Sequence, residues 1–169
     1  MNLAGDWSYL QKVAANRLAS NKTPRHVYRY GEEIELLGAA GELAARRFLG
    51  LPEDLHENFD HGVDLVWHGI NIDVKATHMT PKVAYRYLQW PREKRVKADV
   101  VLLTAVDLQA RQATVLGYAY KEDVLNAPVN ETRDYPCHEI PVTKLRPAWE
   151  LQVMRKSSNW TRTSVLSEV

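Results

Sequence analysis

At 169 residues, with 45% apolar and 25% charged residues and a net charge of +1, the chain has the composition of one globular domain long enough to bury a core. A single cysteine, Cys137, excludes an intrachain disulfide and a cysteine-rich zinc site, and makes a reducing cytoplasm the expected setting. No apolar run approaches the ~18–20 residues of a membrane span, and the N-terminal stretch lacks the basic leader and unbroken apolar core of a signal peptide.

In chain order, Leu3, Trp7, Leu10, Ala14 and Leu18 give a helical stripe, so residues 1–30 are expected to form a helical extension packed on the domain. Residues 31–50, GEEIELLGAAGELAARRFLG, predict a second helix with Ile34, Leu37, Leu43 and Phe48 among its apolar positions and Gly50 as its stop. A hairpin over 63–75 follows. ADVVLLTAVD at 98–107 is apolar on both faces, which predicts a central strand, and ATVLGYAY at 113–120 predicts its neighbour across a polar turn. KEDVLNAP predicts a short helix stopped before Pro128, and 127–136 a loop. CHEIPV is expected at a sheet edge, because Pro141 cannot donate to a central ladder. Residues 143–154 predict a last helix, interrupted or started at Pro147, and 157–169 a flexible tail. Together these predict an α/β fold, a mixed central β-sheet flanked by helices, in one domain over 1–156.

The hairpin carries the chemistry. Val63, Leu65, Trp67, Ile70, Ile72 and Val74 alternate with polar residues, and His68-Gly69 separates the two runs. With those two as the turn, Trp67 pairs with Ile70, Leu65 with Ile72 and Asp64 with Asp73. Directly opposed residues share a face, and Lys75, two positions past Asp73, points the same way. Opposed aspartates repel, so a positive group belongs between them: Lys75 itself or a divalent cation. A solvated hairpin face accounts for the same three residues. Against that reading, Asp73 is the only acidic residue in the chain followed two positions later by lysine. Glu42, in the preceding helix, is a candidate third ligand; its plain alternative is an exposed side chain paired with Arg46 at i,i+4.

A glutamate in a helix that opens Gly-Glu-x-Ala, then an aspartate on a strand, then Asp-x-Lys on the next, is similar to the core of the PD-(D/E)xK nuclease superfamily, the restriction-endonuclease-like fold. The resemblance covers Gly41 to about Thr77 and, more loosely, the strands to about residue 120; Val63 stands where the motif's name has proline. The helix looks somewhat like that of Holliday-junction-resolvase-type members. The resemblance implies a catalytic hairpin and a hydrolase acting on DNA phosphodiesters, endonuclease rather than exonuclease, with RNA left open as a partner and a homodimer possible. It implies Mg²⁺, with Mn²⁺ as a substitute, held by Asp64, Asp73, the Val74 backbone carbonyl and Glu42. Asp64, Asp73, Lys75 and Glu42 are then the expected catalytic set. Lys75 is expected to orient the attacking water and stabilise the pentavalent transition state rather than act as a base.

Between 76 and 98, Lys82, Arg86, Arg92, Lys94, Arg95 and Lys97 face the single acid Glu93, and Tyr85, Tyr87 and Trp90 interleave with them. Cations neutralise phosphates and aromatic rings stack on unpaired bases, so this segment is the expected nucleic-acid contact, extended by Arg46 and Arg47. Its plain alternative is a sheet cover with a solvated basic turn. His56, His61, His68 and His78 match no compact zinc-ligand spacing. Two other classes stay open: an inactive nucleic-acid-binding module or subunit of a DNA-processing complex on the same fold, and a structural or inhibitory protein whose acidic hairpin is solvated surface.

Overall fold

The computed structural model describes residues 1–20, 31–55, 62–79, 87–132 and 135–154. In chain order the elements are α1 (Trp7–Ser20), α2 (Gly31–Leu49), β1 (Leu65–Trp67), β2 (Ile70–His78), β3 (Tyr87–Pro91), β4 (Val100–Asp107), β5 (Gln112–Tyr120), α3 (Lys121–Leu125), β6 (Val129–Asn130), β7 (Cys137–Pro141) and α4 (Trp149–Met154). The predicted hairpin, central strand and neighbour become a mixed sheet in the order β1-β2-β4-β5. β1 pairs antiparallel with β2, β2 parallel with β4, and β4 antiparallel with β5. Parallel neighbours need a crossover, and here the crossing chain forms β3 of a second sheet, β3-β7-β6.

Strand period decides what each face meets. Leu65, Trp67, Ile70, Ile72, Val74, Val100 and Leu102 pack with Ala45, Leu49 and Leu151 on the helical side. On the opposite side Val101 and Leu103 meet Leu88, Trp90, Val96, Val124 and Ile140 of the second sheet, its turn and α3. Leu3, Trp7, Leu10 and Val13 cover Leu37, Ala40 and Leu43 of α2, so α1 is an outer layer.

α2 ends as its sequence requires. Gly50 takes φ 68°, and the N–H groups of Gly50 and Leu51 return to the carbonyls of Arg47 and Arg46, closing a left-handed helix cap. Earlier in the helix Gly41 lies against the sheet: a Cβ there would sit 2.5 Å from Thr104 Oγ1 and 2.8 Å from the Cβ of Ala76. The glycine therefore sets how closely the Glu42 turn approaches β2 and β4.

Two expectations are corrected. CHEIPV is the middle strand of the second sheet, flanked by β3 and β6, and Pro141 is tolerated because it stands at the strand's last position. The expected loop over 127–136 contains the two-residue strand β6, whereas the last helix starts just after Pro147 as expected, with a 3₁₀ turn at Val142–Lys144 before it and α4 from Trp149. The tail from 157 lies outside the described residues, as do 21–30 of the expected N-terminal extension. Among the described residues no helix is long and apolar enough to cross a membrane.

Candidate active site

His68 and Gly69 adopt φ 48° and 81°, the paired positive values that suit a two-residue hairpin turn. The register is the expected one, Trp67 with Ile70 and Leu65 with Ile72. The ladder then stops. Asp64 turns its own N–H onto the carbonyl of Ile72 at 2.9 Å, so the expected direct opposition to Asp73 gives way to an irregular strand start. Its carboxylate instead accepts the N–H of Val74 at 2.5 Å. Because N–H and C=O of one strand residue point the same way, the Val74 carbonyl is directed to this same edge. Among the described residues no strand pairs with β2 on the β1 side beyond Ile72.

Asp73 is 2% exposed, so it is no solvated hairpin residue. It shares a face with Lys75, whose ammonium donates to Asp73 Oδ1. Lys75 Nζ also stands 4.6 Å from the centre of the Trp90 ring, and Lys94 Nζ 5.2 Å from the same ring. Trp90 is 1% exposed and donates its indole N–H to the Lys94 carbonyl at 2.6 Å. It is thus a seat for two cations and is closed to stacking on a base.

Glu42 is buried, and its partner is neither solvent nor Arg46. Arg17 of α1 donates through both terminal nitrogens to both carboxylate oxygens, at 2.6 and 2.7 Å. Arg46, one turn along α2, reaches the Pro52 carbonyl at 3.2 Å and the Asp64 carbonyl at 3.4 Å, while its buried Nε has no partner among the described residues. Glu42 and Arg46 lie on one helix face at i,i+4 spacing, so the face that carries Glu42 looks toward Asp64. Burial, then the negative charges of Asp73 and Glu42, push the Asp64 carboxyl up to about 8; the Val74 N–H and Lys75 offset part of this.

The structure therefore brings Asp64, Asp73 and Lys75 together at the open edge of β2, with Glu42 close enough for its charge to be felt. Arg17 is the member that sequence reasoning missed. Its signal is present: it continues the Trp7, Leu10, Ala14 stripe at i+3, and a charge on an apolar helical stripe needs a buried partner.

Of the basic segment, Lys82, Tyr85 and Arg86 lie outside the described residues. Arg92, Lys94, Arg95 and Lys97 are exposed in the turn and strand approach after β3, and Tyr87 is exposed at the start of β3. Lys97 borders the approach to Asp64, its Cδ 3.7 Å from where a Cβ on Gly62 would stand. Arg92 pairs with Glu131 at 2.9 Å. Arg46 is buried and Arg47 bridges Glu53 and Asp6, so neither extends this surface.

Oxygen donors suit a hard cation such as magnesium. Asp64, Asp73 and the Val74 carbonyl supply them at one edge, and the crowding that raises Asp64 is the imbalance a divalent cation would relieve. Among the described residues, however, no three carboxylate, histidine or cysteine groups stand at ready-made ligand spacing. A separate concavity of about 930 Å³ opens between β5, α3 and β7, lined by Tyr87, Tyr118, Asp123, Glu139 and Arg146 among others; it contains none of the four candidate residues. Comparison with family models, with curated proteins and with solved structures gives no match.

Proposed function

We propose that the chain is a divalent-metal-dependent nuclease that hydrolyses phosphodiester bonds in DNA. The observation that carries this reading is the convergence of Asp64, Asp73 and Lys75 at an open strand edge, where burial and then the charges of Asp73 and Glu42 push the Asp64 carboxyl up to about 8. Asp64, Asp73 and the Val74 carbonyl would hold Mg²⁺ or Mn²⁺, with Glu42 on the helical side. The ion's contribution when bound is positive charge at the scissile phosphate and acidity for a coordinated water.

The chain's own groups do the rest. Lys75 has three N–H bonds and is steadied by Asp73 and the Trp90 ring, so it donates to the attacking water or to a phosphate oxygen as negative charge develops. Lys94, over the same Trp90 ring as Lys75, and Lys97, beside Gly62, offer phosphate contacts, with the exposed Arg95 between them in the chain.

A second reading is favoured by a specific observation. Asp73 and Glu42 already have intramolecular cations in Lys75 and Arg17, which would suit an inactive DNA-binding module on the same fold. The two separate in one assay. Linear, circular, single-stranded and branched DNA incubated with Mg²⁺ or Mn²⁺ should be cleaved by the protein and not by Asp64→Ala, Asp73→Ala or Lys75→Ala. Binding without cleavage would support the inactive module, and equal cleavage by all four proteins would remove this site from consideration.

A further inference from the structure

We infer that Arg17 is the resident counter-cation of the acidic centre, a positioning residue that holds Glu42 in the metal-free protein and gives it up when a divalent cation binds. This rests on the metal site proposed above. The Arg17 side chain is 9% exposed and that of Glu42 12%, yet the helix–helix contact around them is apolar, built by Leu10, Val13, Leu37 and Ala40. An apolar pair of similar volume would serve such a contact at least as well, because desolvating two charges offsets their attraction. The pair is therefore poorly explained as a strut between α1 and α2.

Its position explains it better. Glu42 lies one turn before Arg46, which touches the Asp64 carbonyl, and the negative charges of Glu42 and, more weakly, Asp64 are felt at Arg17. Lys75 plays the corresponding role for Asp73 from the other face of the sheet. The centre thus carries one intramolecular cation on each side, with Asp64 between them held by a backbone N–H. Both carboxylate oxygens of Glu42 accept from the Arg17 guanidinium, so an incoming cation that recruits Glu42 meets a carboxylate already engaged on both oxygens with a like charge beside it. Arg17 and the metal are competitors for one carboxylate.

Calorimetric titration of the metal-stripped protein with Mn²⁺ tests this directly and needs no turnover. Arg17→Gln, which loses the charge, is expected to bind Mn²⁺ roughly tenfold more tightly than the wild type, an ordinary coupling between two binding events. Arg17→Lys keeps the charge but cannot bridge both oxygens in the same way. It is expected to fall between the two, and it keeps the test readable should the glutamine variant fold poorly. Unchanged or weakened Mn²⁺ binding in both variants overturns the role of Arg17 and leaves the metal site standing. Absence of Mn²⁺ binding in the wild type and both variants overturns the metal site together with it.

Discussion

Asp64 holds its proton in the folded chain to a pH near 8, whereas an unfolded aspartate releases it near pH ~3.9. The folded state thus binds the extra proton across that window, and the sign follows: the group's contribution to stability is full below about pH 4 and is lost as the pH rises to about 8. Asparagine mimics the protonated form and can still accept the Val74 N–H. In EDTA, Asp64→Asn should therefore melt above the wild type at pH 8, with the gap closing toward pH 4. A gap independent of pH would mean that neither burial nor the neighbouring charges raise the Asp64 carboxyl. At this scale the hairpin is legible in the sequence, since counting back from His68-Gly69 identifies Asp64, Asp73 and Lys75. The strand irregularity at Asp64 is not, because alternation cannot reveal a backbone N–H that turns onto the carbonyl of Ile72. Nor is the partner of Glu42: Arg46, four residues away, is the local choice, but a guanidinium 25 positions upstream takes both oxygens.

Among the elements, α2 depends on Gly41 for its closeness to the sheet. Two opposing effects act on Gly41→Ala. Alanine inside a helix gains ~0.8–1.0 kcal/mol over glycine, whereas an added methyl forced into a packed contact costs typically ~1–3 kcal/mol. With Thr104 Oγ1 at 2.5 Å and Ala76 Cβ at 2.8 Å, both on strands that cannot easily yield, the clash should win. Urea denaturation should show a net loss of up to about 2 kcal/mol, and the retreat of α2 should weaken Mn²⁺ binding by carrying Glu42 outward. A stabilised variant would mean that α2 is free to shift without consequence. The helices, the central strand and its neighbour can be read from periodicity because each buries a continuous apolar face. β7 misleads because Pro141 reads as interior to the strand, when it ends it. The second sheet leaves no local pattern, because its β3–β7 partners, such as Gln89 and Glu139, stand 50 positions apart in the chain.

At the scale of the whole molecule, a net charge of +1 gives little general attraction to nucleic acid, so binding must come from a local surface. On the proposed reading the exposed Lys94, Arg95 and Lys97 are that surface, while Arg92 is partly spent on Glu131. Replacing all three by alanine should weaken binding to a short duplex and flatten the dependence of log K on log salt by about 0.9 for each phosphate no longer neutralised. Fluorescence anisotropy at several salt concentrations measures both, and an unchanged slope would place the DNA-binding surface elsewhere. The early end of β1 has one more consequence. Beyond Ile72, among the described residues, no strand neighbours the β1 side of β2, where alternate residues direct their N–H and C=O groups and only the Val74 N–H is taken, by the Asp64 carboxylate. Such an edge is a template on which another chain can add, and its N–H groups are equally good donors to phosphate oxygens. On the nuclease reading proposed above, self-association through this edge and occupation by substrate exclude each other, so substrate would guard the same edge against aggregation.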